Sequence, residues 1–227
     1  MWGGACKTIG SMGPEPLSLP TAVRAAVEAE VGGPVVAEEF AWMSWAGTVW
    51  RLHANGRTVF VKRAANLGDE RERLAWLQSR WPVPEAIGLY HEMGDDWLVT
   101  RGVRGIPIHL ALEGWEPGRV AATLGEILRG LHATPAGDCP FGTRKPGNVL
   151  IHGDYCLPNV LVENGRLSAL VDVGLSGLGN PETDLAAGVW TLQYNYGAGH
   201  ARAFLDAYGW PPMTEESIEK LRRKYAR

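Results

Sequence analysis

Apolar and polar positions alternate along this chain with two periods, and the changes between them mark out its elements. From Pro20 to Val31 the apolar residues Ala22, Val23, Ala26, Val27 and Val31 recur at helical spacing. Pro20 suits a first turn and Gly32-Gly33-Pro34 stops the run, so a helix is predicted there. Strand-like runs follow at Val35 to Met43, Val49 to Ala54 and Thr58 to Lys62. Asn55-Gly56 separates the last two, and both residues tolerate positive φ, so the pair reads as a hairpin turn. Residues 69–79 read as a helix with Leu74 and Leu77 on one face, stopped by Pro82 and Pro84. Ile87 to Tyr90 and Trp97 to Thr100 read as two strands around Met93-Gly94-Asp95-Asp96.

The pattern changes at Arg101 to Pro107, where Gly102 and Gly105 read as a hinge. A long helix is predicted over 117–133, with Val120, Leu124, Ile127, Leu128 and Leu131 as its stripe. After a loop from Pro135 to Gly147, Val149-Leu150-Ile151 and Val160-Leu161-Val162 are short strands. A second Asn-Gly pair at 164–165 leads to a strand from Leu167 to Val173, and helices are expected near 182–193, 198–208 and 214–226. Residues 1–19 show no period and read as a loose tail.

Composition narrows the class. A chain of 227 residues with 45% apolar and 21% charged residues suits one large domain or two small lobes and excludes a disordered or fibrous protein. A net charge of −3 with no basic stripe argues against a nucleic-acid partner. The start of the chain lacks a signal-peptide layout and no run of 18 apolar residues occurs, so no membrane span is expected. Three cysteines (Cys6, Cys139, Cys156) without a CxxC fit a reducing cytoplasm rather than a disulfide framework. The ten tryptophans, Trp97, Trp115 and Trp190 among them, read as packing, and Tyr194 and Tyr196 as candidates to face a substrate.

Candidate chemistry concentrates in Ile151-His152-Gly153-Asp154-Tyr155-Cys156-Leu157-Pro158-Asn159 and in Val171-Asp172-Val173-Gly174. A carboxylate after one strand, an amide before the next and a second carboxylate after a hairpin can converge at one point. That is the catalytic-loop logic of kinases: Asp154 accepts the proton of an attacking hydroxyl, while Asn159 and Asp172 hold Mg²⁺ on nucleotide phosphates. Mg²⁺ takes hard oxygen ligands and keeps waters, so one amide and one carboxylate suffice when phosphate oxygens complete the shell. Upstream, Lys62 ends a strand where a kinase places its phosphate lysine. Glu70 shares the inward face of Leu74 and Leu77, which makes it the expected partner rather than Glu72. His152 reads as a structural histidine. A metal or nucleophile cluster of His152, Asp154 and Cys156 is disfavoured, because no fourth ligand or oxyanion loop follows.

These residues resemble the aminoglycoside phosphotransferase family, small-molecule kinases with a protein-kinase-like fold. The resemblance is carried by His152-Gly153-Asp154 with Asn159, Asp172-Val173-Gly174, Asp184-Leu185-Ala186, Phe60-Val61-Lys62 and the stretch from Glu70 to Pro84, and runs from about 35 to 210. It implies phosphorylation of a small-molecule hydroxyl, often on an antibiotic, by ATP or GTP with Mg²⁺. It makes Asp154 the base, Asn159 and Asp172 the metal ligands, and Lys62 with Glu70 the phosphate clamp. Thr100 to Val103 would form the adenine-binding hinge, and Asp184 would brace the catalytic loop. Ser44-Trp45-Ala46-Gly47-Thr48 stands where a phosphate-covering loop belongs but lacks GxGxxG.

Three departures bear on the acceptor. Asp138-Cys139-Pro140-Phe141 reaches His152 without the family's usual helical insertion. The chain ends in Leu221-Arg222-Arg223-Lys224-Tyr225-Ala226-Arg227, where acidic and aromatic residues are usual, and this tail is expected to repel amines. Leu175 stands where an arginine often follows the D-x-G. A less cationic acceptor, such as a nucleoside or peptide antibiotic or a sugar-like metabolite, therefore gains weight.

The expected architecture is α+β and two-lobed: an antiparallel β-sheet lobe over 20–100 that binds nucleotide, and a mainly helical catalytic lobe over 101–227, with the nucleotide between them. A cytoplasmic monomer or homodimer is expected. A metabolic small-molecule kinase and a catalytically silent nucleotide-binding pseudokinase stand as alternatives.

Overall fold

A computed structural model describes residues 18–44, 47–110 and 115–225, with the backbone alone at 42–44. The expectations for 1–17 and for Trp45-Ala46 fall outside the described residues. The described chain divides into two compact units, 18–79 with 83–103 and 80–82 with 104–225.

The first unit is built on five antiparallel strands: β1 (Val35–Ser44), β2 (Gly47–Ala54), β3 (Arg57–Ala64), β4 (Ala86–Glu92) and β5 (Asp95–Arg101). They lie in the order β1-β2-β3-β5-β4. The first Asn-Gly pair makes the β2–β3 hairpin, with Asn55 at φ 49° and Gly56 at φ 68°. Helix α1 (Thr21–Val31) buries Val23, Val27 and Val31, and Gly32 in the left-handed region closes it with an N–H to Glu28 O. These valines join one core with Trp50, Leu52, Val59, Val61, Trp97 and Val99. Leu19 belongs to that core at 6% exposure, so it is packed rather than part of a loose tail. Its N–H donates to Glu38 Oε1, which ties it to β1. Period-two alternation turns Val59 and Val61 into this core and Lys62 to the other face of the sheet. Helix α2 (Gly68–Leu77) buries Leu74 and Leu77.

The second unit is mainly helical: α3 (Pro117–His132), α4 (Glu182–Tyr196), α5 (Ala201–Tyr208) and α6 (Glu215–Tyr225). Helix α3 buries the predicted stripe through Val120, Leu124, Leu128 and Leu131. It meets α5 backbone to backbone, since a Cβ on Gly125 would stand 2.2 Å from the carbonyl oxygen of Phe204. Two small antiparallel sheets complete the unit. One holds β6 (Ile106–Pro107), β8 (Val160–Glu163) and β9 (Arg166–Leu170); the other pairs β7 (Val149–Ile151) with β10 (Gly177–Gly179). The second Asn-Gly pair turns β8 into β9, with Asn164 at φ 51° and Gly165 at φ 78°.

The strand expected from Leu167 to Val173 ends at Leu170, because Asp172 takes φ 58° and a left-handed residue cannot continue a ladder. The two-residue β6 and three-residue β10 carry too little pattern to announce themselves in the sequence.

Candidate active site

In the first unit, β3 and α2 bring Lys62 and Glu70 together. Lys62 Nζ lies 2.7 Å from Glu70 Oε2, and both side chains are 13% exposed. The two charges are thus largely withdrawn from water and offset one another. Thr100 lies on β5, opposite Phe60 of β3 and Ala86 of β4, and Val103 follows that strand at the end of the unit. Ser44 closes β1 opposite Gly47, and its side chain is outside the described residues.

In the second unit the loop after β7 is held by Asp184, in the first turn of α4 and fully buried. Its Oδ2 accepts the His152 N–H at 2.6 Å, and its Oδ1 accepts the Gly153 N–H at 2.8 Å. His132, the last residue of α3, reaches Oδ2 through Nε2 at 3.1 Å and the Tyr208 hydroxyl through Nδ1 at 2.9 Å. Gly153 sits at φ 88°, and a Cβ there would fall 2.4 Å from the carbonyl oxygen of Leu175. The loop can take this path only with glycine at that position.

Asp154 follows and is 3% exposed. Asn159, in the short 3₁₀ turn Leu157–Asn159, donates from Nδ2 to the Asp154 main-chain oxygen at 2.9 Å and to its Oδ2 at 3.3 Å. The Val171 N–H donates to Asn159 O at 3.0 Å, which brings the Asp172 turn beside the loop. Burial pushes the Asp154 carboxyl above its ordinary range, a hydrogen bond from Tyr225 and the charge of His152 oppose this, and the charge of Asp172 adds to it. Among the described non-glycine residues, Asn55, Met93 and Asn164 also have positive φ, each at a tight turn between paired strands. Asp172 takes that conformation outside any such turn, and strain of this kind concentrates at working sites.

His152 is buried, with Nε2 3.0 Å from Val171 O and Nδ1 accepting the Asp154 N–H at 3.3 Å, so it props the loop. Among the described cysteines, Cys139 is half-buried and Cys156 is buried. Tyr194 stacks on Trp190 at 5.1 Å and is 60% exposed. Tyr196 points its hydroxyl to His109 O instead.

Three contacts at the Asp154 carboxyl group are not foreshadowed in the sequence. The Tyr225 hydroxyl donates to Asp154 Oδ1. Cys156 Sγ lies 3.5 Å from that same oxygen and 3.4 Å from the tyrosine hydroxyl. Tyr225 closes a basic helix end and is 71 residues from Asp154, so no local pattern marks it. At the basic end, Arg222 and Arg223 share Glu219, and Lys224 pairs with Glu182, so two carboxylates meet three cations, of which Arg223 and Lys224 stay exposed.

Comparisons with known proteins bear on the family and fold of the chain as a whole. The sequence profile of the phosphotransferase enzyme family matches residues 40–147 and 143–220. The two stretches meet inside the loop that lacks the expected insertion. A probable aminoglycoside 3'-phosphotransferase of Lactococcus lactis is 43% identical over 200 aligned positions, covering 68% of this chain and 76% of that protein. The aminoglycoside 3'-phosphotransferase of Streptomyces fradiae is 27% identical over 213 positions, covering 68% and 77%. Among solved structures, an aminoglycoside 3'-phosphotransferase of type VIII superposes with a TM-score of 0.70 at 27% identity, over 88% of this chain and 96% of that one. An aminoglycoside phosphotransferase of Streptomyces rimosus in complex with ADP and streptomycin has the same fold, with a TM-score of 0.68 at 22% identity over 88% and 95%. Among the described residues no helix is long and apolar enough to cross a membrane. By profile, by sequence and by fold, the chain belongs to the phosphotransferase enzyme family.

Proposed function

We propose that this enzyme transfers the γ-phosphoryl group of ATP or GTP to a hydroxyl of a small antibiotic, an aminoglycoside being the first acceptor to test. The observation that carries the reading is the hold on Asp154. It is a buried carboxylate with one oxygen and its own carbonyl fixed by Asn159, on a loop pinned from behind by Asp184. Related proteins supply the acceptor class: they are aminoglycoside phosphotransferases, and one is bound to ADP and streptomycin.

In this reading Asp154 accepts the acceptor hydroxyl's hydrogen bond and takes its proton as oxygen attacks phosphorus. Burial suits it to that task, because a carboxyl pushed up from its usual range is a stronger base. Lys62, aligned by Glu70, binds nucleotide phosphates and offsets charge on them. Asn159 and Asp172 fit a Mg²⁺ ion by donor chemistry. Asn159 uses Nδ2 toward Asp154 and keeps its hard amide oxygen for a cation, and Asp172 offers carboxylate oxygens. Among the described residues no cluster of three or more His, Cys, Asp or Glu forms a complete metal cage. When bound, Mg²⁺ would neutralise phosphate charge. Thr100 and Val103 are proposed to meet the nucleotide base, and Ser44 its phosphates.

The test is Asp154→Ala with ATP, Mg²⁺ and a panel of aminoglycosides, nucleoside antibiotics and polyols, read as one added phosphoryl group by mass. Transfer is expected to fall by about 10²–10⁴-fold while nucleotide-induced thermal stabilisation persists. Undiminished transfer in the variant overturns the assignment, and stabilisation by nucleotide with no transfer by the native enzyme to any acceptor favours the silent-pseudokinase alternative.

A further inference from the structure

We infer that Tyr225 occupies the acceptor's place on Asp154: its phenolic hydroxyl is an internal stand-in that keeps water off the base until an acceptor hydroxyl displaces it. The inference rests on the reading of Asp154 as the base. The argument is one of atoms. Asn159 engages Oδ2 of Asp154, which leaves Oδ1 to receive the hydrogen bond of an attacking hydroxyl. What donates to Oδ1 is a carbon-borne O–H, the functional group that an acceptor brings. Cys156 Sγ flanks both oxygens and closes the contact on a third side.

Tyr225 is held by contacts that can be exchanged. Its ring packs on Trp190 at 5.2 Å and 47°, and Trp190 stacks in turn on the exposed Tyr194. The adjoining Lys224 is tied to Glu182 by a partly exposed ion pair, a weak restraint. The buried anchors of α6, Ile218 and Leu221, lie one turn or more before Tyr225, so its last turn can move while the helix stays docked. An acceptor that replaces both contacts must pair a hydroxyl with a flat apolar ring face, as a sugar ring does. Water can replace the hydroxyl's hydrogen bond but not the ring's packing on Trp190. The device therefore discriminates against hydrolysis, the side reaction every phosphotransferase must suppress.

The experiment measures ADP release from Mg²⁺-ATP with no acceptor present, comparing the native enzyme, Tyr225→Phe, Asp154→Ala and the double variant, with melting temperatures in parallel. Tyr225→Phe keeps the ring and removes the hydroxyl. It is expected to raise acceptor-free ADP release by roughly tenfold, the order set by one hydrogen bond to a charged group. The rise is expected to vanish in the double variant. Glu182→Gln, which frees Lys224 without touching Asp154, is expected to shift release in the same direction by less, and it decides the matter if Tyr225→Phe does not fold. Unchanged or reduced release in a folded Tyr225→Phe overturns the stand-in and leaves Asp154 as base. A rise that persists in the double variant overturns Asp154 as base, and with it this inference.

Discussion

The first turn of α4 and the loop after β7 each bury a carboxyl group, and they bury it in different ways. Asp184 is gripped by two main-chain N–H groups and by His132, all parts of the framework. Asp154 is met by side-chain donors, Asn159 and Tyr225, with Cys156 alongside. Main-chain donors cannot leave without unfolding the loop, whereas side-chain donors can rotate away. The difference separates a carboxyl group that fixes a shape from one that, as proposed, exchanges partners during the reaction.

That contrast can be broken by experiment. The largest effect is expected from Asp184→Ala, which orphans one buried and one part-buried main-chain donor, the buried one at about 1–3 kcal/mol. Its melting temperature should fall by many degrees, whereas Asp154→Ala should lose transfer and keep most of its stability. Equal melting curves for the two variants would show that both carboxyl groups are structural. A smaller effect concerns pH. Burial raises the Asp154 carboxyl above its ordinary 3.8, and transfer needs the ionised form, so the acid limb of kcat/KM should lie above pH 3.8. The linked stability has the opposite sense: the contribution of this group is present below about 3.8 and is lost as pH rises through its raised folded value. An acid limb at or below 3.8 would contradict the burial argument. The smallest effect is expected from Tyr208→Phe, which removes one neutral partner of His132. It should cost about 1 kcal/mol in denaturant unfolding and leave kcat near its native value.

The elements legible in the sequence are those whose signal is local. Both Asn-Gly turns fall at hairpins with left-handed φ, and α1 and α3 bury the larger part of their predicted stripes, while Ala22 is exposed and Ile127 half-buried. The Lys62–Glu70 contact could be anticipated because helical spacing sets Glu70 on the face of Leu74 and Leu77. The left-handed backbone at Asp172 could not, since Val171 and Val173 beside it read as strand. Nor could the contact of Tyr225 with Asp154 or of His132 with Asp184, which span 71 and 52 residues and depend on how α3, α4 and α6 pack. A basic helix end reads as solvated surface until the fold shows which carboxylates meet it.

The grip of Asp184 has a consequence for how such an enzyme changes over generations. Because the loop is secured from behind by main-chain bonds, its shape does not depend on what lines the side where an acceptor arrives. On the proposed reading, substitutions at Tyr194 or Tyr225 would alter which compound is admitted while the loop is inherited unchanged. Selection for a new acceptor then has a small set of positions on which to act, separate from the residues that keep the protein folded.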